Sequence, residues 1–275
     1  MLKQSSLEKI SVMGCGWLGL PLAAKLVSAG YEVNGSTTSL QKFDKIKSAG
    51  VTPYLAKLDP DATIDPDFLE ADAIVINVPP GRNSHAQFLA GLQNLMKQVE
   101  SSPIKKVIYV SSTSVYPSNN REVIEADASY LSSSRSGVIL LETEDVWRNN
   151  DSFDHIILRF AGLFGPGRNP GRFLAGRKTN GGQNPVNMIH LDDCIAIIIR
   201  LLQNGQWNES YNACTPHHPS REAFYHEASK FLGVSPPKFE QPDITPHKIV
   251  NADKLINHLS YQFMHEDLLQ AIQQS

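Results

Sequence analysis

The stretch ISVMGCGWLGLPLAAKLVSAG, residues 10 to 30, restricts the fold more than any other part of this chain. A short apolar run leads into Gly14, Gly16 and Gly19 at GxGxxG spacing, and an apolar helical pattern follows at once. Each glycine has its own task in such a strand–turn–helix unit. Gly14 permits a tight turn, Gly16 lets backbone approach a pyrophosphate, and Gly19 lets the helix pack closely. Trp17 and Leu18 lie between the last two glycines, where the helix N-terminus offers oriented N–H groups and a partial positive charge to an anion. Gly14, Gly16, Trp17, Leu18 and Gly19 are therefore expected to hold a dinucleotide cofactor.

The pattern continues as parallel βαβ units. KISVMG reads as a strand, residues 17 to 29 as a helix, and YEVNGS as a second strand. SLQKFDKIKSAG reads as a helix with Ser39 as cap and Gly50 as stop. VTPYLAKL is a weaker strand because of Pro53, whereas ADAIVINVP suits a strand covered on both faces. A helix over residues 84 to 99, the strand KKVIYVSS, a helix over 134 to 149 and the strand HIILRF complete a doubly wound α/β sheet of the Rossmann kind, residues 1 to 160. Beyond it, AGLFGPGRNPGRFLAGRKTNGGQNP is too long for an ordinary connection. VNMIH, a helix capped by Asp192, SYNAC, a helix from Ser220 to Leu232 and one near 265 to 274 suggest a smaller substrate-binding lobe, residues 161 to 275.

Composition excludes several classes of partner. A net charge of -3 lacks the basic excess that phosphate-backbone binding uses, so nucleic acid is not expected. The three cysteines, Cys15, Cys194 and Cys214, show no CxxC spacing and fit a reducing cytoplasm. No apolar run of membrane-spanning length occurs. No HExxH or similar spacing of histidines calls for a metal. An apolar helix pair could support a homodimer, although core packing accounts for the same pattern.

The end of the second strand bears on the choice of cofactor. An acidic residue there would accept hydrogen bonds from the 2′-hydroxyl of NAD, and this chain has NGSTTSLQK instead. Ser36, Thr37 and Thr38 could donate to a 2′-phosphate and Lys42 could supply charge, which favours NADP over NAD. At the end of the fourth strand, Asn77, Val78 and Pro79 are expected to line the cofactor, with Arg82 near the substrate.

VSSTSVYP, LRFAGLFGPGR and VNMIHLDDCIA follow the glycine motif in an order that resembles the extended short-chain dehydrogenase/reductases, the NAD-dependent epimerase/dehydratase group. The resemblance covers most of the chain, including KIVNADKLINHLSYQF near its end. It implies that Ser112, four residues before the tyrosine of the VY pair, binds the substrate oxygen, with Ser111 beside it at the cofactor. It implies a nucleotide sugar or another carbonyl compound as the small-molecule substrate. Arg168 and Arg172 would face that substrate, while His190 either approaches it or is structural.

The family's YxxxK pair is absent. Tyr130 is followed four residues later by Ser134, and none of the eight tyrosines has lysine at that spacing. Counting back eight from the glutamate of the family's helix gives Ser134 if that residue is Glu142, and Ser136 if it is Glu144. Bringing a tyrosine hydroxyl from its ordinary pKa to neutrality takes about 4 kcal/mol, which the lysine normally helps supply. Reducing a carbonyl needs only a proton donor, so the loss weakens an epimerase reading more than a reductase reading. Ser112 and Tyr130 are the candidate catalytic residues. The resemblance is to the atypical branch of the superfamily, and the alternative is an NADP-binding redox sensor or scaffold without catalysis.

Overall fold

Strands covered on both faces must be apolar throughout, and Ala73–Ile76, AIVI, is fully buried as that requires. The computed structural model describes residues 7–79, 84–131 and 134–274. In chain order the elements are β1 (Lys9–Met13), α1 (Gly19–Ser28), β2 (Glu32–Thr37), α2 (Phe43–Lys47), β3 (Thr52–Leu55), α3 (Pro66–Leu69), β4 (Ala73–Ile76), α4 (His85–Glu100), β5 (Lys106–Ser112), β6 (Arg121–Val123) and α5 (Arg135–Arg148). There follow β7 (Asp154–Phe160), β8 (Gly162–Phe164), β9 (Lys178–Asn180), β10 (Met188–His190), α6 (Leu191–Asn204), β11 (Glu209–Ala213), α7 (Arg221–Leu232), β12 (Lys238–Glu240), β13 (Lys248–Val250), α8 (Asp253–Leu259) and α9 (Leu268–Ala271).

The chain divides into two compact units with interleaved segments. The first gathers the chain up to Ser111, then Ile139–Leu158 and Ile198–Ser210. The second gathers Ser112–Val138, Arg159–Ile197 and the chain from Tyr211 onward. A division after Phe160 takes each unit as continuous, whereas parallel strands all deliver the chain to one edge of the sheet, so it can leave there more than once.

The main sheet has the strand order β11-β7-β5-β4-β1-β2-β3. Parallel registers set Val12 beside Gly35 and Met13 beside Ile76. Strand order reverses between β1 and β4, the arrangement of a doubly wound Rossmann sheet, and the crevice at their C-terminal ends is where such sheets bind ligands. Trp147 of α5 is fully buried, with its ring 5.9 Å from Tyr109 and 6.1 Å from Phe153. Ser84 and Gln87 close a reciprocal capping box on α4. The expected helix after β2 differs: Leu40–Lys42 is a 3-10 turn, and α2 begins only at Phe43. The Ser39 hydroxyl binds Gln41 rather than a helix amide, so it is not a side-chain cap.

The second unit carries three two-stranded parallel pairs, β8–β10, β9–β12 and β6–β13. Phe164, Val186, Met188, Phe224, Ala228, Leu268 and Ile272 form its apolar cluster. Ser220 lies just outside the helix expected to begin with it and caps α7, and Gly233 ends it with φ of 69°. Asp192 does not cap α6 from outside but sits in its first turn, where its N–H donates to His190 Nδ1 at 3.3 Å. SYNAC forms β11 and joins the main sheet instead of a separate lobe sheet. The last helix starts only at Leu268, because the Asp267 carboxylate accepts the N–H groups of Leu269 and Gln270. Among the described residues no helix is long and apolar enough to cross a membrane.

Replacing Trp147 by alanine is expected to cost about 3–5 kcal/mol of unfolding free energy. A urea titration would show a lower midpoint with little change in slope. An unchanged midpoint would mean that the ring does not organise this core. A second expectation concerns pH. Burial above all holds His155 and His218 below the ordinary histidine range, with Arg148 adding to the effect at the former and His217 at the latter. The folded chain therefore binds fewer protons than the unfolded chain just below about pH 6.5, and this stability is present above that pH and lost as pH falls through it. Urea midpoints should drop between about pH 7.5 and 5.5, and a flat profile would contradict the assignment.

Candidate functional site

β1 delivers the chain into the glycine loop, where each glycine has a different physical ground. Gly14 has φ of 99°, and a Cβ there would lie 2.5 Å from the Asn77 carbonyl oxygen. A Cβ on Gly19 would lie 2.0 Å from the carbonyl oxygen of Gly14, so α1 begins packed on the loop itself. Nothing in the protein lies within 4 Å of a Cβ on Gly16, whose backbone faces open space. That space is what a phosphate group needs. α1 has no acidic residue in its first turn, and Leu18, which is buried, makes no side-chain cap. The positive end of the helix is therefore not neutralised by its own side chains.

A cavity of about 300 Å³ opens beside this loop within the first unit. Gly14, Gly16, Ser36, Thr37, Thr38, Lys42, Asn77, Val78 and Pro79 all line it, so the expected cofactor residues converge. Its size falls in the range of small-molecule sites. Ser36 has a more specific place than sequence reasoning gave it: its hydroxyl accepts the Gly14 N–H at 2.9 Å, and its carbonyl accepts the Cys15 N–H at 2.8 Å. Thr37 is buried and accepts the Ser39 N–H at 3.3 Å. Thr38 and Lys42 are exposed. Cys15, Ala56 and Leu58 also line the cavity and went unnoticed on sequence. The signal was the parallel register, which sets Leu55 beside Thr37 and brings residues 56 to 58 to the same sheet edge. Burial pushes the Cys15 thiol up to about 12, so it is a neutral wall and not a nucleophile.

The expected reaction residues lie elsewhere. Ser111 does not line the cavity; its hydroxyl donates to the fully buried Glu144 at 2.7 Å, and Arg148 meets the other carboxylate oxygen at 2.9 Å. Glu142 instead reaches His85. Of the two glutamates Glu144 is thus the buried one; counting back eight gives Ser136 from it and Ser134 from Glu142. Ser136 is exposed, 2.9 Å from the Ser134 hydroxyl, which in turn accepts the Gly137 N–H. Tyr130 sits in the turn before α5 and is 47% exposed. The Ser112 hydroxyl accepts the Ser114 N–H at 3.2 Å and donates to the Ser114 hydroxyl.

In the second unit, Arg168 is exposed, donates to the Leu163 carbonyl at 3.0 Å and lies over the Phe173 ring. Arg172 is exposed in a 3-10 turn capped by Asn169. Arg82 lies outside the described residues. His190 is 1% exposed and packs against Phe164 and His265. Tyr116, of the VY pair, is also buried: its hydroxyl donates to Asn212 at 2.6 Å and accepts from Arg159 at 2.8 Å. Burial pushes Tyr116 up to about 12, against the pull of Arg159, so its hydroxyl stays protonated at neutral pH. A lone arginine in the apolar strand HIILRF was the available clue to this buried pairing.

Gly16 and Gly19 should separate binding from folding. Gly16→Ala is expected to change stability by no more than about 0.5 kcal/mol while weakening NADPH about tenfold in a fluorescence titration. Gly19→Ala should cost more than about 2 kcal/mol by thermal unfolding, because the overlap is with backbone. Equal affinity of Gly16→Ala and the parent chain would contradict the placement of phosphate at this loop.

Over residues 14–204 the chain matches the NAD(P)H-binding family. It is 36% identical over 270 residues to Protein YeeZ of Escherichia coli K12, covering 96% of this chain and 98% of that protein. A candidate NAD-dependent epimerase/dehydratase from Methylobacillus flagellatus superposes with a TM-score of 0.74 at 26% identity, covering 97% and 96% of the two chains. The fold is also that of a UDP-glucuronic acid 4-epimerase from Bacillus cereus solved in complex with NAD, with a TM-score of 0.76, 20% identity and 97% of each chain covered. The open cradle at Gly16, the uncapped start of α1 and the adjoining cavity fit the family's cofactor, so this chain binds NAD or NADP. The chain belongs to the NAD(P)H-binding family, and the solved structures it resembles include NAD-dependent epimerase/dehydratase members.

Proposed function

We propose that the chain is an NADP-preferring oxidoreductase of the epimerase/reductase type, acting on a carbonyl carbon of a small molecule such as a nucleotide sugar. The observation that carries this reading is a glycine cradle that opens beside a β2 end without a carboxylate, where Thr38 and Lys42 are exposed on the cavity. Ser36 holds the loop through the Gly14 N–H, leaving Thr38 and Lys42 to meet a 2′-phosphate. When bound, the nicotinamide supplies or accepts a hydride.

Ser112 would polarise the substrate oxygen, its hydroxyl held near the end of β5 by the Ser114 amide. Tyr130, or a water, would supply the proton. Without the YxxxK pair, no lysine at that spacing lowers a tyrosine's pKa, which favours reduction over base-initiated epimerisation. Similarity to a UDP-glucuronic acid 4-epimerase supports a nucleotide-sugar substrate, and Arg168 and Arg172 of the second unit suit its diphosphate. We take the second unit, from Arg159 onward in particular, as the substrate-binding lobe. The same missing dyad favours one other reading, a sensor that binds NADPH without turnover.

Two measurements separate these readings. Lys42→Ala should weaken NADPH about tenfold and leave NADH unchanged; equal losses for both would remove the NADP preference. In a screen of carbonyl compounds that includes UDP-sugars, the enzyme reading requires NADPH oxidation that Ser112→Ala abolishes. Saturable NADPH binding with no turnover across the screen would favour the sensor.

A further inference from the structure

Three residues that no sequence spacing unites meet within the second unit. His190 ends β10, Asp192 lies in the first turn of α6, and His265 lies between α8 and α9, 73 positions beyond Asp192. Asp192 Oδ2 is 2.9 Å from His265 Nε2 and 3.4 Å from His190 Nδ1. The imidazole centroids are 3.7 Å apart with the rings tilted by 44°, and one ligating atom from each residue lies within 4.8 Å of the others. Both histidines are buried, at 1% and 8% exposure, whereas the Asp192 side chain is half exposed and leaves a way in from solvent.

One contact in this cluster is unfavourable when only protons occupy it. The Asp192 N–H donates to His190 Nδ1 at 3.3 Å, which requires a lone pair on that nitrogen. The same lone pair then faces a carboxylate oxygen 3.4 Å away, negative toward negative. A proton on Nδ1 would satisfy the carboxylate but would set two N–H groups against each other. A cation among Nδ1, Oδ2 and Nε2 would turn the contact with the carboxylate into an attraction, the Asp192 N–H giving up its long bond to Nδ1. For a tetrahedral ion with bonds of 2.0–2.1 Å, neighbouring ligand atoms lie about 3.4 Å apart, the separation of Asp192 Oδ2 from His190 Nδ1, and the 2.9 Å contact to His265 Nε2 would widen to admit the ion. The loop that carries His265 is also fixed in advance. The buried Asp193 carboxylate accepts the Tyr261 hydroxyl at 2.7 Å and the backbone N–H groups of Met264 and His265 at 2.8 and 3.2 Å.

We infer that His190, Asp192 and His265 form a binding site for a divalent transition-metal ion of the zinc class, with solvent completing its coordination. Two imidazoles and one carboxylate suit zinc or cobalt, while magnesium and calcium call for oxygen ligands. The ion would fasten the β10–α6 junction to the segment before α9. None of its three ligands lines the nucleotide cavity of the first unit.

The test is calorimetric titration of chelator-stripped full-length protein with zinc chloride, with cobalt(II) absorption as the geometric readout. The expected result is one zinc per chain, a higher melting temperature, and visible cobalt bands of tetrahedral intensity. Asp192→Asn, at an exposed position and nearly isosteric, and His265→Gln should each weaken zinc at least about tenfold. His217→Gln alters a histidine paired with a different carboxylate and should leave binding unchanged. Magnesium chloride should give no heat. Absence of saturable zinc binding would overturn the proposal, as would one-to-one binding left intact by Asp192→Asn. Because Asp192→Asn is read by its own melting curve without metal, loss of fold in His265→Gln does not remove the test.

Discussion

The packing of α1 against the glycine loop is the contact on which the first unit's chemistry depends. Three constraints meet there: the Ser36 hydroxyl takes the Gly14 N–H, Gly14 adopts positive φ against the Asn77 carbonyl, and Gly19 leaves room for the Gly14 carbonyl. Together they bring the ends of β1, β2 and β4 to one point, with the unneutralised start of α1 beside them. A side chain at Gly14 or Gly19 would push these elements apart, whereas one at Gly16 would fill only the space that a ligand requires.

Polar groups inside the fold are paired so that these elements keep their register. Asn34, buried in β2, donates to the Asp67 and Phe68 carbonyls at 3.0 and 3.3 Å, and Ser11 of β1 also donates to Phe68. α3 is thereby tied to the two strands that carry the cradle. In the second unit, Arg159, Tyr116 and Asn212 form a comparable chain, and Glu125 accepts the Asn212 N–H at 2.7 Å. An arginine in a central strand would be costly alone; with a phenol and a carbonyl as partners it fixes one arrangement of the segments around it.

What could be read from the sequence was local. The strand–glycine–helix unit, the apolar run Ala73–Ile76 and the helix ending at Leu232 each follow from neighbouring residues, and each stands where expected. Features set by distant partners were hidden. Nothing local shows that the Ser36 hydroxyl accepts the N–H of Gly14, 22 positions earlier, while its own O–H stays available to a phosphate. The bond from the Ser111 hydroxyl to Glu144, 33 positions on, was equally hidden. Asp192 looked like a cap because an acidic residue before a helix and one in its first turn have the same local signature, and only the His190 contact separates them. His265 carried no signal, since its partners lie more than seventy positions away.

The central claim is that nucleotide phosphate rests on the amides at the start of α1, with the adenosine side of the cofactor toward Thr38 and Lys42. A crystal structure of the chain grown with NADPH tests it most directly. The account requires the diphosphate within hydrogen-bond reach of the backbone around Gly16 to Leu18, and the 2′-phosphate beside Thr38 and Lys42. Density for the cofactor at any other surface, with the loop from Gly14 to Gly19 making no contact to it, would contradict the account.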